Sequence, residues 1–207
     1  MREIDPKTTT RAKAFEQWMK APMPMVTMTK TFDITHLCRL SKRCGVKLNM
    51  LMCYAVVRAA SSFDEFYMLP LGDKLMKYDF LAINTIVMTD SGGINTCDIP
   101  YSEDIHKFES DYLRITRQAS HSDHEITLDD NYMVIGSSAL TKCELDSVVN
   151  VYAGCWNNPF VVWAKYRKGW FRTTLPVSFQ FHHTQMDGPV STGFLNRLQE
   201  VMNTLEY

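Results

Sequence analysis

The amino-acid sequence predicts a single α+β domain in which helices pack on a mixed β-sheet. Helical periodicity occurs near the start, in the middle and at the end of the chain, and strand-like alternation fills the segments between. With 45% hydrophobic and 12% aromatic residues, a chain of 207 residues can bury one sizeable core. No linker, internal repeat or low-complexity segment divides the sequence, so we expect one domain over residues 1–207.

The first half of the chain mixes helices with strands. Gly45 ends one helical pattern, as expected of a C-terminal glycine. Two later strands flank Ser91-Gly92-Gly93 and are predicted to form a hairpin. The expected segments are a helix over 11–20, a strand over 26–35, a helix from Asp33 or Thr35 to Gly45, a helix over 48–63, and strands over 78–90 and 94–102.

The second half contains most of the expected strands. Ser102 is expected to open a helix, with Glu103 and Asp104 in a first turn that favours acidic residues. A polar loop over 121–130 follows it. The remaining predicted segments are strands over 131–140, 147–154, 159–166 and 170–183, with adjacent strands antiparallel, and a last helix over 189–205.

Charge and hydropathy exclude several classes of protein. The net charge of −1 argues against nonspecific nucleic-acid binding, which needs a strongly basic surface. The first ten residues lack the apolar core of a secretory signal. The longest nearly apolar run, 48–60, contains Arg58 and is too short to span a bilayer. We therefore expect a soluble, cytoplasmic protein without a nucleic-acid or membrane partner.

The cysteines favour free thiols over disulfides. None of the six forms a CxxC pair, and a reducing compartment is expected. One of them acting as a nucleophile stays an alternative, although buried free cysteines are usually inert. They stand at positions 38, 44, 53, 97, 143 and 155.

The segment FHHTQMDG, residues 181–188, carries the main chemical signal. On a strand, His182 and His183 point to opposite faces and cannot both bind one ion, so no metal site is expected. His183 continues the apolar stripe of Phe181, where burial favours the neutral imidazole that a general base needs. Asp187 begins the last helix, either as a plain N-cap or as a carboxylate whose ion pair holds the turn.

Two further segments have open interpretations. Ser137 and Ser138 end a predicted strand, where either is an ordinary serine or a donor to an oxyanion; the GxSxG pattern of a hydrolase is absent. The stretch WAKYRKGWFR, 163–172, interleaves four basic residues with four aromatic ones. It is consistent with a hairpin that has a basic tip, or with a site for phosphates and a flat base.

Together these residues resemble the chloramphenicol acetyltransferase family, whose members are trimers that transfer acetyl from acetyl-CoA to a hydroxyl. HHTQMDG is similar to the HHxxxDG signature of that family, near the C-terminus where the family has it. Other similar segments follow in family order over essentially the whole chain. They are FDIT (32–35), SFDEF (62–66), IPYSEDI (99–105), SAL (138–140), PFVVWAKY (159–166) and FLNRLQE (194–200).

The resemblance implies the fold and the reaction. The fold would be the two-layer sandwich of CoA-dependent acyltransferases, and the co-substrate would be acetyl-CoA, with no metal. His183 matches the general base, and Ser138 matches the serine that binds the tetrahedral oxyanion. Asp187 matches a structural carboxylate paired with an N-terminal arginine, for which Arg11 fits by spacing.

The resemblance also implies a shared active site and a CoA-binding region. In the family the site lies between subunits, so His183 would face Ser138 and the acceptor pocket of the neighbouring protomer. Lys47 and Lys165 match lysines near the CoA 3′-phosphate, and Tyr166 matches a neighbouring CoA contact. A small-molecule acceptor and a homotrimer are the implied partners.

The departures from the family concern the acceptor pocket. Trp18 replaces a tyrosine that contacts chloramphenicol in the resistance enzymes, and Gln17 replaces an aromatic beside it. Val26 stands where an aromatic residue is usual, and Val162 stands where a threonine helps solvate the transition state. Acetyl transfer from CoA is therefore implied more strongly than chloramphenicol itself. The alternatives are a different alcohol or amine acceptor, or a non-catalytic trimeric binding protein.

Overall fold

The computed structural model describes residues 1–152 and 154–207 and contains helices and strands in the mixed order that the sequence predicts. The helices are α1 Ala12–Trp18, α2 Thr35–Cys44, α3 Leu48–Ala60, α4 Ile105–Ser120 and α5 Gly188–Thr204. The strands are β1 Arg2–Ile4, β2 Met25–Asp33, β3 Met68–Leu71, β4 Lys74–Lys77, β5 Phe80–Met88, β6 Ile94–Pro100, β7 Tyr132–Leu140, β8 Phe160–Ala164, β9 Arg167–Lys168 and β10 Thr173–His182. Short 3-10 turns lie at Pro6–Thr8 and Asp64–Tyr67.

Most strands form one large mixed sheet. Its order is β2-β10-β8-β7-β5-β6, with β9 paired to β10 beside this path. The pairs β5–β7 and β7–β8 are parallel, and the other pairs are antiparallel. A small sheet, β1-β4-β3, lies apart.

The two faces of the large sheet differ. One, called here the helix face, packs against α3, α4 and α5 and carries the apolar side chains of the core, such as Ile135, Val161 and Phe179. The residues next to these in sequence point to the opposite side, called here the open face. One row across the open face takes a residue from each strand: Asp98, Asn84, Gly136, Phe160, Gln180 and Thr27.

The structure corrects three local expectations. Residues 147–152 and 154 do not form a strand, and Ala153 lies outside the described residues. This segment crosses the open face instead, where the Val148 amide donates to the Ser178 hydroxyl at 2.9 Å. The Gln180 side chain likewise donates to the Asn150 carbonyl at 3.1 Å. Side chains of the sheet thus satisfy backbone groups that a neighbouring strand would otherwise pair.

The other corrections concern a helix start and a strand direction. Asp104, not Ser102, caps α4, because its carboxylate accepts from the His106 amide at 2.9 Å. The strands β7 and β8 run parallel, although adjacent strands in this region were expected to be antiparallel. Gly45 does end α2, with a left-handed φ of 72°.

In the described part of the chain, no helix is both long and apolar enough to cross a membrane. Within the same residues, no three histidine, cysteine or acidic side chains lie close enough together to hold a metal ion.

Candidate active site

His183 lies in the turn just after β10, not on the strand as expected. The strand ends at His182, because the chain there turns toward α5. The His183 amide donates to the Pro24 carbonyl at 2.8 Å. Its own carbonyl accepts from Arg11 at 3.1 Å, so the backbone of His183 is held on both sides.

Arg11 fixes this turn with all parts of its guanidinium. The side chain is 3% exposed. Besides the bond to His183, Nε donates to the Thr184 carbonyl at 2.9 Å, and Nη1 pairs with the Asp187 carboxylate at 2.7 Å. One arginine thereby ties three points of a five-residue turn to the N-terminal segment of the chain.

Asp187 joins the turn to the last helix. Its carboxylate caps α5 by accepting from the Val190 amide at 3.4 Å. Partial burial by itself would raise the pKa of Asp187, but the hydrogen bond and the charge of Arg11 outweigh burial and lower the pKa below its ordinary value. The carboxylate therefore stays ionised as the partner of Arg11.

Trp18 covers the imidazole of His183. The two rings are stacked, with centroids 4.6 Å apart and planes only 7° from parallel. The Nδ1 atom of His183 is buried and has no hydrogen-bond partner among the described residues. Because Nδ1 is buried, Nε2 is the ring nitrogen left as a candidate for contact with a substrate.

His182 has a different environment from its neighbour. It is buried, and its Nδ1 accepts a hydrogen bond from the Thr184 amide at 3.0 Å. Burial, assisted by the charge of His183, lowers the pKa of His182 to about 4. The neutral His182 ring is therefore a structural part of the turn.

The two candidate serines point to opposite faces of β7. Ser137 is fully buried and donates to the Asn84 carbonyl at 2.7 Å, so its hydroxyl is engaged within the sheet. Ser138 is half-buried and lies on the open face. Of the two, Ser138 is the one that a ligand on the open face can reach.

Two of the residues expected to contact the acceptor molecule lie on opposite faces of the sheet. Val162 is beside Ser138, and Val26 is on the other face. Val162 pairs with both Ser138 and Ser178, so its side chain shares the open face with them. Val26 pairs with Phe181 and packs against the core on the helix face. The sheet thus separates Val26 from the serine.

Within one chain, His183 and Ser138 are far apart. Ser138 lies two strands from Ser178, and His183 is five residues beyond Ser178. Strand spacings of about 4.8 Å and a rise of about 3.3 Å per residue give a separation of about 19 Å. The structure therefore contains a histidine half-site (Arg11, Trp18, His183 and Asp187) and a separate serine half-site (Ser138 and Val162).

Two of the three residues expected to bind CoA line one cavity. Lys165 and Tyr166 line a narrow cavity of about 230 Å³ together with Leu48, and the exposed Lys47 immediately precedes Leu48 as the N-cap of α3. The mainly apolar lining with Lys165, and Lys47 next to a lining residue in sequence, suit a molecule with an apolar body and a phosphate.

One part of the site was missed at the sequence level. A cavity of about 540 Å³ on the open face includes Asp98, Asn84 and Gly136. The available signal was Asp98 itself, an acidic residue inside the otherwise uncharged strand INTCDIP. The Pro24 carbonyl that holds His183 left no such signal, because any residue supplies a carbonyl.

Comparison with known proteins identifies a family that matches this chain. The family model described as chloramphenicol acetyltransferase matches residues 1–199. Chloramphenicol acetyltransferase 3 of Escherichia coli is 29% identical over 210 residues, covering 98% of this chain and 97% of that protein. Chloramphenicol acetyltransferase 2 of the same organism is 26% identical and covers 95% and 94%.

Solved structures agree on the fold. A chloramphenicol acetyltransferase structure superposes with a TM-score of 0.84 at 19% identity, covering 97% of this chain and 99% of the other. A probable dihydrolipoamide acetyltransferase from Listeria monocytogenes has a TM-score of 0.71 at 14% identity, covering 100% and 95%. The fold is thus that of the CoA-dependent acyltransferases, as the resemblance implied. Because the family model matches nearly the whole chain, the protein belongs to the chloramphenicol acetyltransferase family and is an acyltransferase.

Proposed function

We propose that this protein transfers acetyl from acetyl-CoA to a hydroxyl of chloramphenicol or of a related small molecule. The observation that supports this most is that several contacts fix the position of His183. Its backbone is fixed by Pro24 and Arg11, and its ring is stacked on Trp18 with Nδ1 buried. An imidazole held in this way suits a general base.

The proposed reaction needs a base and an oxyanion donor. His183 Nε2 takes the proton as the acceptor oxygen attacks the thioester carbonyl, which contributes roughly 10²–10⁴-fold. Ser138 donates to the tetrahedral oxyanion, which contributes about 10²–10³-fold. Collapse breaks the carbon–sulfur bond, and the CoA thiolate takes the proton back from His183. The acceptor leaves as an acetyl ester.

We place each active site between two subunits of a trimer. The separation of about 19 Å between the half-sites supports this, because one chain cannot bring His183 to its own Ser138. Val149, Val151 and Trp156, in the loop that crosses the open face, are exposed. Exposed apolar side chains of this kind are typical of a protein interface.

We assign acetyl-CoA to the cavity beside α3. Tyr166 would contact the cofactor there, and Lys47 and Lys165 would pair with its 3′-phosphate. Two lysines on different elements place positive charge at one end of a mainly apolar cleft, where a phosphate gains charge-assisted hydrogen bonds.

The first prediction concerns His183. His183→Ala should lower the rate of thiol release from acetyl-CoA with chloramphenicol by roughly 10²–10⁴-fold, because the base is lost. Binding of acetyl-CoA, measured by calorimetry, should be unchanged. His121→Ala removes an exposed imidazole and serves as the control.

Two results would contradict the proposal. Full activity of the His183→Ala variant would exclude the histidine as the base. A wild-type protein that binds no acetyl-CoA would instead be a non-catalytic member of the fold.

A different acceptor is the second candidate. Val162, in the serine half-site, carries no hydroxyl, and Trp18 is larger than the tyrosine of the resistance enzymes. Turnover of another alcohol or amine, with none of chloramphenicol, would select this alternative.

A further inference from the structure

The cavity of about 540 Å³ on the open face adjoins the serine half-site. Asp98, Asn84, Gly136, Phe160 and Gln180 line it and belong to a single row across the strands. Ser138 is two residues along β7 from Gly136 and on the same face, at about 6.6 Å. A molecule in this cavity would therefore reach the oxyanion donor, which makes the cavity the acceptor pocket.

Gly136 lies directly under an aromatic ring of this pocket. A Cβ atom at Gly136 would lie 2.2 Å from the Phe160 ring, so the ring lies directly over the glycine. Because Gly136 has no side chain, the Phe160 ring can lie there and form part of the pocket wall. Trp156 adds a second aromatic ring to the lining.

The pocket carries negative charge without a countercharge. Asp98 is 6% exposed and accepts from the Asn84 side chain at 2.8 Å and the Leu128 amide at 3.3 Å. Glu125 lines the same cavity. Among the residues that the structure describes, no lysine, arginine or histidine forms an ion pair with either carboxylate.

A buried carboxylate without a cationic partner is costly. Burial raises the pKa of Asp98, and the nearby charge of Glu125 acts in the same direction. Proteins normally pair such a group or use it in binding. An aromatic wall beside it, here Phe160 and Trp156, also favours a cation.

We infer that the acceptor is a small molecule bearing a protonated amine, which pairs with Asp98 while a hydroxyl of the same molecule lies at Ser138. The inference rests on the proposed acetyltransferase function and names the class of its acceptor. Two strand spacings and one residue pair along β7 separate the Cα atoms of Asp98 and Ser138 by about 12 Å. An amino alcohol built on one ring spans the space left between the two side chains.

The same contact decides which atom is acetylated. A protonated amine has no lone pair with which to attack the thioester, so the nitrogen held by Asp98 is not the nucleophile. The hydroxyl oxygen forms the new bond to the acetyl carbon and passes its proton to His183. The product is an ester and not an amide.

The test compares acceptors that differ in charge. The probes are chloramphenicol, the free amine left when its dichloroacetyl group is removed, and the N-acetyl amide of that amine. They share the ring and both hydroxyls. We expect the wild-type protein to acetylate the amine on oxygen with a higher kcat/KM than either amide, and to bind it more tightly by calorimetry with CoA present.

Asp98→Asn should remove this preference. The ratio of kcat/KM for the amine to that for its N-acetyl amide should fall roughly 10- to 100-fold, as expected for a hydrogen bond to a charged group. Glu125→Gln, at an exposed position that tolerates substitution, should lower the ratio by a smaller factor. Asp123→Asn removes the same charge from an exposed residue of the same loop, outside the lining, and is the matched control.

The outcomes distinguish the inference from the proposed function. Preference of the wild-type protein for the amides, in turnover or in binding, would overturn the inference and leave acetyl transfer intact. An unchanged ratio in both Asp98→Asn and Glu125→Gln would overturn it as well. Failure to bind acetyl-CoA would overturn the proposed function itself.

Discussion

At the scale of single residues, the turn after β10 depends on one buried cation. Arg11 donates to the carbonyls of His183 and Thr184 and pairs with Asp187. The three acceptors lie more than 170 positions away in sequence, so the arginine closes the turn against the start of the chain. Arg11 therefore stabilises both the fold and the position of His183, the candidate base.

The second prediction concerns the Arg11–Asp187 pair. Asp187→Asn should lower the free energy of unfolding by about 1–2 kcal/mol, because it leaves the buried guanidinium without its countercharge. The loss should be smaller than the 3–5 kcal/mol of fully buried pairs, since the Asp187 side chain is 41% exposed. Chemical denaturation measures the change, and the rate of acetyl transfer should fall with it.

A surface pair provides the control for this experiment. Glu200→Gln breaks the exposed ion pair with Arg197 and should cost less than about 1 kcal/mol. Equal losses in the two variants would contradict a structural role for Asp187.

The stability lost in Asp187→Asn should depend on pH, in the direction set by the pKa shift of Asp187. Because the pKa of Asp187 is lower in the folded protein, the pair stabilises the fold fully above the pKa of the unfolded state, near 4. The stabilisation disappears as the pH falls through the folded value. The difference in stability between wild type and Asp187→Asn should therefore be constant at neutral pH and vanish in acid. A difference that persists in acid would point to packing and not to charge.

At the scale of secondary-structure elements, alternation predicts the strands of the large sheet better than the loop that crosses its open face. Most strands could be predicted from alternation because their helix-face residues are apolar. The segment 147–152 has similar composition but is a loop over the open face, where side chains of β10 bind its backbone. Alternation alone does not distinguish these two cases.

The third prediction tests the contact between Gly136 of β7 and the Phe160 ring of β8. Gly136→Ala should destabilise the fold by about 1–3 kcal/mol, because the new methyl group would overlap the Phe160 ring. Adding Phe160→Ala removes the overlap, so the double variant should lose less stability than the two single losses added together. Thermal or chemical unfolding of the four proteins forms the required cycle.

Gly188→Ala is the control for this glycine. A Cβ atom there meets nothing within 4 Å, so the change should be neutral or slightly stabilising. Losses at Gly136 and Phe160 that simply add would contradict the proposed overlap.

At the scale of the whole molecule, an active site shared between subunits can be tested. The histidine half-site and the serine half-site can be inactivated in separate chains. His183→Ala and Ser138→Ala should each be nearly inactive, because each removes one half of every site. When the two variants are co-expressed, roughly one interface in four should combine an intact His183 with an intact Ser138 at random mixing. Activity of the mixture well above that of either variant is the expected result.

Light scattering completes this experiment. The active species should have three times the mass of the chain, and separately purified variants mixed without exchange of subunits should stay inactive. An active monomer, or a mixture no better than its components, would contradict a site between subunits.

The sequence by itself determined the fold class, the order of most elements and the segment that we propose carries the chemistry. Local periodicity encodes these features, because each depends on residues a few positions apart. HHTQMDG is visible as a short polar pattern after an apolar strand, and its catalytic interpretation came from its resemblance to the family signature HHxxxDG. The tertiary structure decided which groups surround that segment: Trp18 over the imidazole, Arg11 under the turn, and Ser138 about 19 Å away. It also brought Asp98 into the row that contains Gly136, two residues from Ser138. These contacts join positions far apart in the chain, and only the pairing of strands and the packing of helices against them brings such positions together.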